Sequence, residues 1–215
     1  MISKEQYNRL LLQYSDVSSW AVWDEAEDGS IKSGTANVDM LDISNYSDEM
    51  KLLSVLNSDY VLVGLNAAVH SDTDKRKEAW SAFHSDDNKR QKDYKLRHAL
   101  KGTSLWGSYI TDALKGYTET DSRQVIKDLK DTKMKALLDK SIEDFNKELE
   151  ILGNPIIVAL GNASYKIVKK YFNEKYRIVK ITHHAFFIGQ EKYKIRIHEE
   201  LLKQGINVVN ARQCH

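Results

Sequence analysis

The stretch Tyr60-Val61-Leu62-Val63-Gly64-Leu65-Asn66-Ala67-Ala68 is a short apolar run that stops at a glycine, followed by an amide and two small residues. Apolar runs of this length bounded by turn residues are typical of buried strands. In an open α/β fold, the residues that follow a parallel strand lie at the sheet edge where ligands bind. We therefore interpret Asn66 as the candidate chemical centre of the protein.

Later segments repeat the pattern of an apolar strand that ends in small or polar residues. The predicted strands are Trp106–Lys115 with Thr111-Asp112 at its exit, Ile156–Leu160 stopped by Gly161, and Tyr176–Thr182 ending in His183-His184. Helical spacing of apolar residues predicts helices over 2–13, 47–56, 124–129, 137–152, 163–172 and 191–204. Strands that alternate with helices predict a layered α/β fold with a central, mostly parallel, four-stranded sheet.

Length and charge indicate one domain with an uneven distribution of charge. At 215 residues the chain suits a single domain, with an acidic segment over 1–56 packed on a core over 57–210. Residues 1–60 carry 11 Asp and Glu against 4 Lys and Arg, whereas residues 61–215 carry 20 against 28. A basic body attracts polyanions, although ordinary solvated faces give the same count.

Cysteine, histidine and hydropathy patterns exclude several classes of protein. Cys214 is the single cysteine, so no disulfide forms within the chain. No apolar run approaches the roughly 20 residues that span a bilayer, and we expect a cytoplasmic monomer without membrane contact. His70, His84 and His98 lack the spacing of a helical metal pair and no Cys cluster exists, so neither a metal nor a cofactor is predicted.

The order of the strand-end motifs resembles the uracil-DNA glycosylase superfamily from about residue 57 to about residue 204. The segment 64–68 resembles the first motif of the mismatch-specific and single-strand-selective members, and Ile181-Thr182-His183-His184-Ala185 resembles the second motif. The resemblance implies a three-layer α/β/α fold. It also implies a hydrolase that cleaves the N-glycosidic bond of a damaged or deaminated base flipped out of single- or double-stranded DNA.

The resemblance further implies a role for each matching residue. Asn66 would position the attacking water and His183 would stabilise the departing base, so these two are the candidate catalytic residues. The candidate base-binding residues are Gly64, Leu65, Phe83 and Asp112, with the ring of Phe83 stacked on the base. Stacking of this kind is worth about 1–3 kcal/mol per base.

Three departures from the family motifs leave alternatives open. Ala67-Ala68 replaces Pro-Gly, Asp112 replaces Asn, and His184-Ala185 replaces Pro-Ser. A carboxylate offers no donor to a uracil carbonyl, whereas a base with amino or ring N–H groups suits it. One alternative is therefore a non-catalytic nucleic-acid or nucleotide-binding module with the same fold. Another is a nucleoside or nucleotide-sugar hydrolase on an unrelated parallel sheet.

A basic cluster between the first two predicted strands is the candidate DNA-binding surface. Its members are Lys89, Arg90, Lys92, Lys95 and Arg97, joined by His184 in the minor-groove loop that the resemblance implies. Side chains that neutralise phosphates make binding strongly dependent on salt. The alternative is a solvated helix face with no nucleic-acid partner.

Overall fold

The computed structural model describes residues 1–25, 30–67, 78–86 and 89–209, so Ala68 of the first motif lies outside the described residues. This part of the chain forms an α/β fold with a mixed sheet. The strands are β1 (Ser18–Trp20), β2 (Asn57–Asn66), β3 (Ser108–Leu114), β4 (Ile156–Leu160) and β5 (Ile178–Ile181). The α-helices are α1 (Lys4–Tyr14), α2 (Met50–Val55), α3 (Asp93–Leu100), α4 (Ser122–Asp128), α5 (Lys135–Leu152), α6 (Asn162–Phe172) and α7 (Gln190–Lys203).

The sheet has five strands, not the four predicted. Its order is β1-β3-β2-β4-β5, in which β2 to β5 are mutually parallel and β1 pairs antiparallel with β3. The extra strand comes from the acidic N-terminal segment, where fully buried Trp20 pairs with Tyr109 of β3. The alternation of large apolar and small residues over 18–23 predicts a short strand or extended segment, but a local pattern does not indicate which strand it pairs with.

The run Ile206-Asn207-Val208-Val209 predicts a final strand from its sequence. In the structure it does not join the sheet; Val209 makes one isolated bridge, to Thr103. The edge of β5 is instead occupied by a side chain that follows α7. Gln204 accepts from the Lys180 N–H through Oε1 at 2.8 Å and donates from Nε2 to the Lys180 carbonyl at 2.7 Å. Such a side chain satisfies the exposed edge groups that another strand would otherwise pair with.

Helices cover both faces of the sheet because neighbouring strand residues point to opposite sides. On β2, Val61 and Val63 enter a cluster with side chains of α1, α2, α5 and α6. Leu62, between them, enters a second cluster with side chains of α3 and α7. The continuous apolar run that predicted a buried strand therefore reflects burial on both faces.

The strand order fixes where a ligand site forms. The chain passes from β2 to β3 on one side, and then crosses to β4 on the other side of β2. In open α/β sheets, ligands bind in the crevice outside the carboxyl ends of strands whose connections leave in opposite directions. The crevice here lies beyond the ends of β2 and β4, at Asn66 and Gly161. Within the described residues, no helix has the length and apolar character needed to cross a membrane.

Candidate active site

A cavity of about 760 Å³ lies at this crevice. It takes in the end of β2, the β3–α4 connection, the start of α6 and the segment after β5. Of the predicted site residues, Leu65, Asn66, Phe83, Arg90, Asp112, His183 and His184 line it. The structure thus brings together both candidate catalytic residues and three of the four candidate base-binding residues; the fourth, Gly64, contacts two of them from below.

Gly64 lies beneath the cavity, where its lack of a side chain makes room for two of the lining residues. It pairs with Asp112 across β2 and β3. A Cβ on residue 64 would overlap Asp112 Oδ1 and would lie 3.2 Å from Phe83 Cζ. The carboxylate and the ring therefore both close onto the Gly64 backbone, and a glycine is needed because they approach so closely. Asp112 lies inside β3, not at its exit as predicted, and its residue is only 6% exposed.

Phe83 is held with its ring on Gly64 by an unusual backbone. Its φ of 61° is in the left-handed region, and its carbonyl accepts a hydrogen bond from Trp23 Nε1 at 3.1 Å. A non-glycine residue in that region costs about 1–2 kcal/mol. Strained residues of this kind cluster at ligand sites, so the strain is a second indication that this ring position matters.

Asn66 has its amide nitrogen committed to the protein. Nδ2 donates to the carbonyls of Glu119 at 2.8 Å and Tyr117 at 3.3 Å, both on the β3–α4 connection. The side chain is partly buried and lines the cavity. With the nitrogen engaged, Oδ1 is the atom that can accept a hydrogen bond from a water or a ligand. Asn66 is thereby suited to orient water, and also ties together two sides of the cavity.

His183 has its tautomer set by a backbone hydrogen bond. Its Nδ1 accepts from the Ala185 N–H at 3.1 Å, so the proton of the neutral ring is on Nε2. Loss of hydration on burial lowers the pKa of His183 to about 4. The ring is therefore neutral at pH 7 and presents an N–H donor. The Cβ of His183 packs on Gly161, because a Cβ built on residue 161 would lie only 3.2 Å from it.

His184 stacks on His183 and is not at the surface. The ring centroids are 4.2 Å apart with an interplanar angle of 23°, and His184 Nε2 lies 3.5 Å from Asp93 Oδ1. Burial, followed by the nearby His183, Lys95 and Lys92, lowers the pKa of His184 well below 6.5. At 5% exposure, His184 does not fit the predicted minor-groove contact; it supports the His183 ring from behind.

Two members of the predicted DNA-binding cluster are buried and have other partners. Lys95 donates from Nζ to the carbonyls of Phe186 at 2.9 Å and Ile188 at 2.8 Å. Arg97 donates to the carbonyls of Asp24 at 2.6 Å and Ile31 at 2.7 Å. The exposed fractions are 3% and 6%, so neither belongs to an exposed basic surface. The periodicity of 89–98 did not reveal this, because α3 is buried on nearly every side.

The other three basic residues of the cluster lie nearer to solvent. Lys89 and Arg90 are exposed, and Arg90 is the one that lines the cavity. Lys92 is partly buried, with Nζ 5.8 Å from the ring centroid of Phe187. These three keep their candidate role as phosphate contacts.

Sequence reasoning missed two groups of residues around the cavity. The first is the loop after His184, where Phe186 is 48% exposed and Phe187 is 94% exposed. Two adjacent aromatic residues after His-His were the available signal. The second is cationic: Arg123 and Lys166 line the cavity from α4 and α6. Arg123 pairs with Asp121 at the start of α4, and Lys166 is one of three lysines on α6, so nothing in the sequence marked either as a site residue.

Among the residues that the structure describes, no group of three or more His, Cys, Asp or Glu side chains could hold a metal ion. No protein-family model, curated protein or solved structure matches the chain. The geometry of the cavity therefore carries the functional argument.

Proposed function

We propose that the protein is a hydrolase that cleaves the N-glycosidic bond of a base flipped out of DNA. One observation carries the proposal: Asn66 of β2, Asp112 of β3 and His183, which follows β5, line one cavity together with Phe83. The proposal includes the three-layer arrangement of the uracil-DNA glycosylase fold, which the packing of helices on both faces of the sheet supports. A cytoplasmic location and a monomeric state stay predictions.

The chemistry follows from the two polar groups at the strand ends. As the glycosidic bond breaks, the sugar gains oxocarbenium character and the departing base gains negative charge. Nε2–H of a neutral His183 would donate to that charge as it forms, which stabilises the transition state without a proton transfer. Asn66 is a poor base, but its Oδ1 would accept from a water and hold it against the sugar. Catalysis would rest mainly on stabilising the leaving group.

The size and the lining of the cavity support the binding of a flipped base. An enzyme that acts on a base must extrude it from the stack into a pocket, and there read its edge and stack on its face. The ring of Phe83, which packs on Gly64, supplies an apolar surface beside the Asp112 carboxylate. The volume of about 760 Å³ is within the range of ligand sites, which is about 300–1,000 Å³.

The loop that follows His184 supplies a means of contacting the duplex. Phe187 is almost fully exposed, and Lys95 holds the loop through the carbonyls of Phe186 and Ile188. Apolar side chains inserted between base steps are a common way to unstack DNA. Phe187 would fill the gap that the flipped base leaves. Lys92, next to its ring, would meet a phosphate at the same place.

The second candidate is a non-catalytic nucleic-acid or nucleotide-binding module. The hydrogen bonds of Asn66 Nδ2 to Glu119 and Tyr117 favour it, because they give Asn66 a purely structural use. In that case the cavity would bind a base or nucleotide without cleaving it. The two candidates differ in one measurable property, the release of free base.

The test is base excision at stoichiometric enzyme. Oligonucleotides carrying uracil, hypoxanthine, xanthine, cytosine or 5-methylcytosine are incubated with the protein, and abasic sites are then cleaved with alkali. Strand scission with at least one base is expected, together with its loss in Asn66→Ala and His183→Ala. Asn146→Ala and His198→Ala, which lie on α5 and α7 outside the cavity, are the matched controls. Binding without scission on every substrate would favour the second candidate.

A further inference from the structure

We propose that the cavity selects a cytosine-type base, a pyrimidine with a 2-oxo and a 4-amino group, over the corresponding 2,4-dioxo base. This inference rests on the proposed function, since it concerns the base that the same cavity takes. It follows from the donors and acceptors that the two sides of the cavity present.

The β3 side of the cavity presents an acceptor. Asp112 lies against the Gly64 backbone, beside the ring edge of Phe83. A carboxylate has about four lone-pair sites, so it can accept from a base in addition to its contacts within the chain. The 4-amino group of cytosine is a donor, whereas O4 of uracil or thymine is an acceptor. An amino group therefore suits this side, and a carbonyl oxygen is repelled.

The β5 side presents a donor. His183 has its Nδ1 occupied by the Ala185 N–H, so Nε2–H is the group it offers to a ligand. A pyrimidine leaves through N1, and its O2 carbonyl, one atom away, shares the charge that develops. A purine leaves through N9, which has no carbonyl beside it. A donor aimed at the leaving-group charge thus favours a pyrimidine over a purine.

The two groups enter the cavity above neighbouring strands. Asp112 Oδ1 lies against the Gly64 backbone of β2, and the Cβ of His183 packs on Gly161, which follows β4. β2 and β4 are adjacent in the sheet, and adjacent strands are about 4.8 Å apart. Both side chains line the same cavity, so a pyrimidine that accepts at O2 and donates at N4 would contact both of them.

The reaction balances with water as the only co-reactant. The C1′–N1 bond breaks and its electron pair stays with the base, delocalised onto O2, where the His183 N–H donates to it. The water oxygen bonds to C1′, and the proton that it loses passes to solvent. The base anion takes up a proton after release. Asp112 binds the 4-amino group throughout and transfers no proton.

The test compares bases that differ only at position 4. Single-turnover excision is measured for cytosine against uracil, and for 5-methylcytosine against thymine, each in the same oligonucleotide. We expect the amino member of each pair to react faster by roughly tenfold to hundredfold, since one matched polar contact gives discrimination of that order. Faster reaction of the two dioxo bases, or equal rates, would overturn the inference and leave the proposed function standing.

Asp112→Asn tests the residue itself. It replaces one carboxylate oxygen by an NH₂ donor of the same size, so the order of the two bases in each pair is expected to reverse. Asp144→Asn on α5, outside the cavity, is the matched control and should keep the wild-type order. An unchanged order in a folded Asp112→Asn protein would overturn the inference. If that variant does not fold, the wild-type comparison decides.

Failure of the proposed function is distinguishable from failure of this inference. If no base is excised, binding of free cytosine and free uracil is followed by NMR on the wild-type protein. Tighter binding of cytosine would support the inference even though the chain is then a binding module. Equal or weaker binding of cytosine would overturn it.

Discussion

Asp112 and Gly64 face each other across the pairing of β2 and β3, with the carboxylate in the space that a side chain on residue 64 would fill. A glycine is therefore needed at position 64, because any side chain there would push Asp112 out of its place beside the cavity. It also places the acceptor of Asp112 beside the ring of Phe83.

Gly64→Ala is expected to displace Asp112 and Phe83 and so to change the shape of the cavity that they line. The added methyl group overlaps Asp112 Oδ1, and overpacking of a tight site costs about 1–3 kcal/mol. The free energy of unfolding, measured in urea, should fall by that amount, and base binding should weaken. Gly189→Ala is the control, because a Cβ there meets nothing within 4 Å. Equal stability of the two variants would contradict this packing.

His183 is expected to make stability depend on pH between about 4 and 6.5. Its pKa in the folded chain, about 4, lies below the ordinary value of 6.5, so the unfolded chain takes up the proton first as pH falls. Its contribution is fully present above pH 6.5 and is lost as pH falls toward 4, for a total of about 3 kcal/mol.

Urea unfolding from pH 7 to pH 4.5 checks this dependence on His183. His184, whose pKa is also lowered, contributes in the same direction, so His183→Gln is compared with the wild type under identical conditions. The variant should lose less stability on acidification, because one of the two histidine rings with a lowered pKa is gone. Parallel curves for the two proteins would mean that His183 is as well solvated in the folded chain as in the unfolded chain.

Asn66→Ala and Asn66→Asp are expected to separate the catalytic role of this side chain, orienting water, from its structural role, the hydrogen bonds to the β3–α4 connection. Removing the amide should lower excision by roughly 100-fold or more, since a positioned polar group contributes that much. Asn66→Asp keeps an oxygen for water but faces the carbonyls of Glu119 and Tyr117 with a second oxygen. We expect it to lose about 1–3 kcal/mol of stability, as an unmet buried acceptor does. Stability of Asn66→Asp equal to wild type would contradict the observed hydrogen bonds.

How far the fold was predictable depends on the length of each element. The run ending at Gly64 identified β2, and helical spacing identified α5, α6 and α7, because each has enough residues to show its period. β1 has three residues, and its place in the sheet depends on pairing with β3, which lies some 90 positions further along the chain. Such pairing is set by tertiary packing of Trp20, which a local pattern does not contain.

The site was predictable where it is made of strand ends. Asn66 ends β2 and His183 follows β5, and these two strands run parallel in the sheet, so their meeting at one edge follows from the fold class. The burial of Lys95 and Arg97 was not predictable, because a charged side chain on a helix is normally solvated. Their partners are carbonyls of distant loops, and only the folded chain shows which loops cross α3.

Phe187→Ala is expected to slow excision from duplex DNA without destabilising the folded protein. The ring is 94% exposed, so the free energy of unfolding should change by less than about 0.5 kcal/mol. Excision from a duplex should slow more than excision from a single strand, since only the duplex requires a wedge. Leu12→Ala, an 84% exposed apolar residue on α1, is the control. Equal slowing on duplex and single-stranded substrates would contradict the insertion of Phe187 between base steps.

Lys95→Met and Lys92→Met are expected to separate a structural lysine from a phosphate contact. Lys95 loses two hydrogen bonds to the carbonyls of Phe186 and Ile188, so its variant should be less stable by about 1–3 kcal/mol. Its ammonium is buried and meets no phosphate, so the slope of log K against log salt should stay unchanged. Lys92→Met should keep its stability and reduce that slope by about 1. A lower slope in Lys95→Met with unchanged stability would return Lys95 to the DNA-binding surface, and would mean that the loop carrying Phe187 is held by other contacts.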